Sequence, residues 1–580
     1  MRKLNKVQIF IIVFLSFLAV GFLIYSNSFN NEFFWDDDDS IVNNTYIKDI
    51  KYFPRFFSEN LIAGTGQITN YWRPVLLISF SFDYHLFGLS PIDFHVHNTL
   101  LHILSAFLIF ILLYKLSKGN LLLSYFPALI FLVHPLQTEA ITYIAGRADP
   151  LSSVFSLISL IFYYYYREKL KNKYVFWSLI AFILALLTKE QVILLPLLIA
   201  SLEIFFFLSR KNWKNSLKKL LPFFLISLVY FILRITILNF NDILSGSTYL
   251  ESYSSSIGTR LLTFTWVINK YFALLFAPFN LHMAYEVEPV TTIFSWSVFL
   301  FICLISLIVI LAYKTWSKNK LITFGFLWSF IILLPRTNIL KINRPMYEHW
   351  LYLPIMGFFL AFFGLILLMI NRVKDKNRKK TLKYVFISLI IIFSIYLSYQ
   401  TIERNRDWRD PITFYEKNLN YTPNSYIQRN NLGMAYAKSS RHAEAITEYQ
   451  KAISIADIYP QVHYNLANSL VILNNLKEAE SQYLISVDMS PGFSLAYQGL
   501  LNIYLSQGEK NKAYLLLAKL KLNIPEANYN LIAWKTYIFL GDYDKSIESL
   551  ETLSNIYSDN LELRNTLIKL KLENSLIKKR

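Results

Sequence analysis

The chain has 580 residues, 54% hydrophobic, 17% aromatic and 17% charged, against roughly 25% charged in a soluble domain, so a wholly soluble chain is excluded. The length allows several domains. The net charge of +18 would suit nucleic acid, but the basic residues cluster in short gaps between apolar blocks, where they mark cytoplasmic loops instead.

A membrane crossing takes about 20 apolar residues. The candidates are 8-27, 95-114, 121-137, 150-166, 174-188, 191-209, 220-240, 292-313, 321-335, 351-371 and 382-399, about eleven spans. The first follows Arg2, Lys3 and Lys6 without a convincing cleavage site, and reads as an uncleaved span. With the N-terminus in the cytoplasm, six basic clusters holding 23 of the 57 Lys and Arg residues all fall inside. Segment 258-278 carries Arg260 and Lys270 and reads as an interfacial or re-entrant helix; were it to span, the tail would lie in the cytoplasm. The single cysteine, Cys303, excludes an intrachain disulfide and a cysteine metal cluster.

This topology gathers the loop 28-94, the segment 134-149, the turn 188-190, the loop 241-291 and the segment 336-350 on the outer side. Charges at membrane depth are costly and usually face an interior cavity, so a cavity at the outer bilayer surface is expected. The first outer loop reads Phe34-Trp35-Asp36-Asp37-Asp38-Asp39. Four adjacent carboxylates repel one another. They suit a general base with a tuned pKa, a divalent cation such as Mg or Mn, or a solvated acidic turn or N-cap. Two further clusters stand at the same boundary: His134-Pro135 to Glu139, continuing to Gly146-Arg147-Ala148-Asp149, and Lys189-Glu190-Gln191. Their Arg and Lys could bind a phosphate, or form intramembrane ion pairs that aid packing. A lone His134 is more often a satisfied histidine than a ligand.

After residue 400 polar residues dominate. Residues 401-424 read as a linker and 425-560 repeat at 34: Leu432, Leu466 and Leu500 keep register, as do Ala445, Ala479 and Ala513. This is the tetratricopeptide (TPR) period. Four repeats, 425-458, 459-493, 494-526 and 527-560, precede a capping helix at 561-580. Such stacks form a concave surface that often binds extended peptide; a structural or oligomerising tail is the plainer alternative. The fold class is all-α, a polytopic helical membrane domain at 1-400 followed by a TPR α-solenoid.

Trp35-Asp36-Asp37, Tyr71-Trp72-Arg73-Pro74, Phe94-His95 to His102, His134-Pro135 to Glu139, Gly146 to Asp149, Lys189-Glu190, Glu348-His349-Trp350-Leu351-Tyr352-Leu353-Pro354 and Asn405-Arg406-Asp407-Trp408-Arg409 stand in this order ahead of the repeats. In that order the chain resembles a bacterial-type relative of the transmembrane and TPR-repeat-containing O-mannosyltransferases, within the C-type integral-membrane glycosyltransferases. The resemblance implies an inverting enzyme that moves a mannose-like sugar from a polyprenyl-phosphate carrier to an acceptor protein on the outer side. It implies chemistry without a cofactor, a divalent metal being possible but not favoured. The lone cysteine and short tail point to a bacterial inner membrane with a periplasmic tail, with an endoplasmic reticulum lumen as the alternative outer side. An aspartate of the first outer loop acts as base in the family, here Asp36 with Asp37 as its partner. Arg147 and Lys189 are the expected phosphate cations, with Arg344 and His349 behind them. Glu139 and Glu190 would orient them, and His134 would contact acceptor or phosphate. The animal proteins usually have Glu-Arg where this chain has Glu348-His349, so His349 or Arg344 would replace that arginine. Two alternatives stand beside this reading: the same chemistry on a lipid or surface glycan, and a non-enzymatic membrane scaffold or transporter.

Overall fold

A computed structural model describes residues 5–208, 213–240, 256–283, 285–339, 344–558 and 560–579. Loop 241-291, where the sequence places one outer segment, lies partly outside them. The described chain is helical and divides into two compact units, Met1–Phe414 and Tyr415–Arg580.

In the first unit the helices are α1 (Lys6–Tyr25), α2 (Pro74–Phe87), α3 (Pro91–Leu116), α4 (Leu121–Val133), α5 (Thr138–Ile141), α6 (Ala148–Lys169), α7 (Asn172–Leu186), α8 (Leu195–Leu202), α9 (Trp213–Ile235), α10 (Ile257–Phe276), α11 (Trp296–Thr315), α12 (Lys320–Leu333), α13 (Pro354–Asn371), α14 (Lys376–Arg406) and α15 (Pro411–Leu419), which crosses the boundary between the units. Among the described residues eight helices are long and apolar enough to cross a membrane, or nine if one bent pair counts as a span. The segments at 174-188 and 321-335 are shorter helices, Asn172–Leu186 and Lys320–Leu333. Helix α10 is not among the long apolar ones, in keeping with its Arg260 and Lys270.

The termini follow local chemistry. Asn5 accepts the Gln8 amide and Gln8 returns the bond, a reciprocal cap that starts α1. Asp375 caps α14 through the Arg378 amide. At 31 residues, α14 is about 46 Å long, longer than a hydrocarbon core of about 30 Å, so one end projects beyond it. The segment read as one span at 121-137 is instead broken: α4 stops at Val133, and the chain turns by 57° into Pro135–Ile141. Pro135 has no amide proton and disfavours helix in the residue before it, so His134 is extended, with ψ 130°. Helices α12 and α13 meet through glycines. A Cβ on Gly325 would stand 2.4 Å from the Gly357 carbonyl oxygen, and one on Gly357 would stand 2.5 Å from that of Gly325. That contact brings α12 and α13 side by side.

The segment between α1 and α2 has its own core. Ile41, Ile47, Phe56 and Leu61 pack against Leu76, Leu77 and Phe80 of α2, Phe94 of α3, and Ile144.

The second unit is a run of antiparallel helix pairs: Tyr426–Lys438 with His442–Ile455, Pro460–Ile472 with Leu476–Met489, Ser494–Ser506 with Lys510–Asn523, and Glu526–Leu540 with Tyr543–Ile556, then Leu561–Lys579. The register residues Ala445, Ala479, Ala513 and Ser546 are fully enclosed, where small side chains let paired helices approach.

Candidate functional site

The four aspartates separate by environment. Trp35 takes a left-handed backbone, φ 61°, rare for an aromatic residue and a feature of functional turns. The turn sends Asp37 inward. Its carboxylate accepts the amides of Ala145 at 2.7 Å and Phe34 at 3.3 Å, and burial pushes its pKa well up while these two bonds oppose. Asp37 therefore ties the loop to the segment 144–148. Gly146 lets that segment pack closely on α5, since a Cβ there would stand 2.8 Å from the Glu139 carbonyl oxygen.

Asp36 points the other way. Its side chain keeps access to water, yet it stands in a recess walled closely by protein. Burial raises its pKa, the nearby Tyr143 hydroxyl lowers it, Asp39 raises it and Arg73 lowers it. Asp39 is engaged by Gln67 at 3.0 Å.

Beyond Asp36 the cations assemble. Arg73, last residue before α2, holds Glu190 by two bonds, Nε to Oε2 at 3.0 Å and Nη2 to Oε1 at 2.7 Å, and stacks over Tyr71 at 4.4 Å. Lys189 meets Asp149 at 2.5 Å. Arg336 lies over the Trp350 ring at 4.2 Å, and no carboxylate lies within ion-pair distance of it among the described residues. Burial lowers Lys189, against the pull of Asp149, and nearby Arg336 and Arg73 lower it further. Burial also pushes Arg336 down to about 10, against Asp149. Lys189 is thus a paired cation, whereas Arg336 is a buried cation with an aromatic face but no carboxylate partner among the described residues.

Asp149, Lys189, Gln191, Arg336 and His349 stand at one end of a cleft of about 690 Å³. Three helical stripes line it, and each changes from polar to apolar in the same direction: Asp149 to Leu160 on α6, Gln191 to Leu198 along 190–202, and Arg336 back to Trp328 on α12. Along α6 the stripe runs about 16 Å. A charged mouth over an apolar floor fits an amphiphile with an anionic head.

His349 lines this mouth. Its Nδ1 lies 2.9 Å from Glu139 Oε1, and its amide donates to Glu139 Oε2 at 2.9 Å. Burial holds its pKa well below the ordinary value; Asp149 opposes this, while Lys189, Arg336 and Arg73 reinforce it. A neutral ring that donates from Nδ1 to a carboxylate keeps a lone pair at Nε2. Glu348 turns away, fully enclosed, and meets Arg404 at 3.3 Å and the Tyr285 hydroxyl at 2.8 Å, which anchors the His349 turn to α14. Arg344 stands at the edge of the described residues, near Tyr347.

Two expected residues are elsewhere. Arg147 is fully buried, paired with Asp83 at 2.6 Å, donating to Asn98 at 2.6 Å and to the carbonyls of Ser79 and Phe94. It braces α2, α3 and the segment 144–147 and does not line the cleft. His134 is enclosed, accepting the Leu136 amide at 3.3 Å with its Nε2 3.1 Å from the Leu275 carbonyl oxygen. Arg73, Arg336 and Asp149 were not singled out as site residues in the sequence. Arg336 did leave a signal, a cation closing an apolar run at an expected outer boundary. Among the described residues no group of three or more His, Cys, Asp or Glu side chains is placed to hold a metal ion.

The tetratricopeptide repeat family model matches residues 429–459 and 527–560. Among curated proteins the chain is similar to human Protein O-mannosyl-transferase TMTC3, 25% identical, covering 85% of this chain and 56% of that protein. It is similar to Protein O-mannosyl-transferase F38B6.6 of Caenorhabditis elegans, 28% identical over 77% of this chain and 63% of that one. For human Protein O-mannosyl-transferase TMTC4 the identity is 26%, over 74% and 64%. The chain thus spans less than two thirds of the length of these relatives. Among solved structures it is similar to YrrB, a TPR protein with an unusual peptide-binding site (21% identity, 30% of this chain, 89% of that one, TM-score 0.23), and to yeast Tom70 (12%, 83% and 96%, TM-score 0.26). The chain is an all-helical protein with membrane-span-capable helices and TPR repeats, similar over most of its length to the named protein O-mannosyl-transferases.

Proposed function

We propose that the chain is a membrane glycosyltransferase that moves a mannose-like sugar from a polyprenyl-phosphate carrier to a hydroxyl of an acceptor protein, on the non-cytoplasmic side. The cleft carries the proposal: Lys189 and Arg336 at its mouth suit the phosphate, and its floor between α6, α8 and α12 suits the first part of a lipid chain. A soluble sugar nucleotide would have no use for that floor.

The chemistry follows from the arrangement. The acceptor hydroxyl attacks the anomeric carbon as the bond from that carbon to the phosphate oxygen breaks, with inversion. Asp36 takes the hydroxyl proton as it leaves. The lipid phosphate departs with developing negative charge, which Lys189 and Arg336 meet. His349 lines the mouth, held by Glu139, and Arg73, held by Glu190, stands near Lys189. The helical repeats of the second unit supply a surface of the kind that holds extended peptide, which favours protein as the acceptor over a glycan.

Incubation of the full chain with polyprenyl-phosphate-mannose tests the donor class. Sugar release with stoichiometric lipid phosphate is expected, and GDP-mannose should yield none. Release from GDP-mannose alone would overturn the reading.

A further inference from the structure

The segment Asn405–Arg409 at the end of α14 has no part in the chemistry above, yet it is bound on several sides. Asn405 accepts the Thr142 hydroxyl at 2.8 Å and donates to the Ile24 carbonyl at 2.8 Å and to Asn27 at 2.9 Å. Asn31 donates to the Asn405 carbonyl at 3.1 Å, and Glu32 donates to that of Arg409 at 3.0 Å. The end of α1, the start of the first outer loop and residue 142 thus converge on this turn.

What the turn presents is Trp408. Its side chain is fully buried and lies flat against Tyr143, ring centroids 5.5 Å apart at 24°. On Tyr143 also stacks Trp35, at 5.0 Å and 27°. Tyr143 is therefore held by two indoles, with Phe414 packed at 4.5 Å on Trp408. Its hydroxyl stands beside the Asp36 carboxylate and favours the ionised form of that carboxylate. The Trp408 indole N–H has no acceptor among the described residues. A buried donor without a partner costs on the order of 1–3 kcal/mol. A phenylalanine would stack without that cost, so only the ring face is needed here.

We propose that Trp408 is a positioning residue for the Asp36 carboxylate, acting through the ring of Tyr143. The proposal rests on Asp36 being the base of the reaction. Fixing the Tyr143 ring fixes its hydroxyl beside the Asp36 carboxylate, and the same stack holds Trp35, the residue before Asp36. Among the described residues the groups that face Asp36 are Asp37 and Asp39 from its own loop, Tyr71 and Arg73 from the turn before α2, Tyr143, and Tyr347. Of these, the Tyr143 hydroxyl favours the ionised form most and Arg73 less. Loss of that hydroxyl should raise the Asp36 pKa, so the rate should begin to fall at a higher pH.

The test is the pH profile of sugar release from polyprenyl-phosphate-mannose by full-length wild type, Tyr143→Phe, Trp408→Met and Trp408→Phe, beside Asp36→Asn. Tyr143→Phe and Trp408→Met should move the acid limb up by about one pH unit, and Trp408→Phe should overlay the wild type. Adding Trp408→Met to Tyr143→Phe should shift the limb little further. An unmoved acid limb in Tyr143→Phe overturns the proposal even if Trp408→Met does not fold. So does an unmoved limb in a folded Trp408→Met. Wild-type activity in Asp36→Asn would instead overturn the assignment of the base.

Discussion

Glu139 grips His349 at two points, its Oε1 2.9 Å from Nδ1 and its Oε2 accepting the His349 amide at 2.9 Å. The two residues are 210 positions apart in sequence, so this pair closes the broken segment after α4 onto the turn before α13. Glutamine at 139 offers one acceptor oxygen for two donors. Glu139→Gln should therefore lower sugar transfer about 10- to 100-fold, with the fold retained. Added to His349→Ala it should cost little more, because the carboxylate acts through the ring. Additive losses in that double variant would contradict the role.

Arg336 has Trp350 beneath it but no carboxylate within ion-pair distance among the described residues. Its charge is left for a ligand. Arg336→Gln should lower kcat/KM for the lipid-phosphate donor about 10- to 100-fold, with Arg336→Lys intermediate because a point charge replaces a fork. Steady-state kinetics on the purified full chain measures this. An unchanged kcat/KM would remove Arg336 from the phosphate site.

Arg147 offers the opposite expectation. It is enclosed with Asp83 and donates to Asn98, and deleting one partner of a buried pair costs about 3–5 kcal/mol. Arg147→Met should lose folded yield and thermal stability rather than donor affinity. A variant that melts like the wild type but binds donor poorly would return Arg147 to the site.

The pH dependence follows from Asp36. Burial raises its pKa, and a base must be ionised to take a proton. The acid limb of the rate should therefore lie above the ordinary aspartate value of about 4, with activity lost as pH falls through the raised pKa. A limb at or below that value, measured where the protein stays folded, would contradict Asp36 as base.

Much of the architecture is legible in the sequence because its physics is periodic. A 34-residue period repeated four times leaves little choice but paired helices, and the helices begin at 426, 460, 494 and 526. Long apolar runs are legible for the same reason. The break at His134 is not, because hydropathy carries across Pro135. The site is harder, because side-chain direction depends on partners far away in sequence. Nothing near Arg147 announces that Asp83 will take its charge. Nothing in four aspartates shows that the left-handed Trp35 sends Asp37 inward to Ala145 and leaves Asp36 in the recess. Arg73 looked like part of a motif and proved to be half of the Glu190 pair.

The most direct test compares sugar transfer from polyprenyl-phosphate-mannose by full-length wild type and Asp36→Asn at matched folded concentration. The asparagine keeps the shape and removes the base. Loss of transfer by at least about 100-fold, with unchanged melting temperature, is the predicted result. Transfer by Asp36→Asn at the wild-type rate would contradict the account.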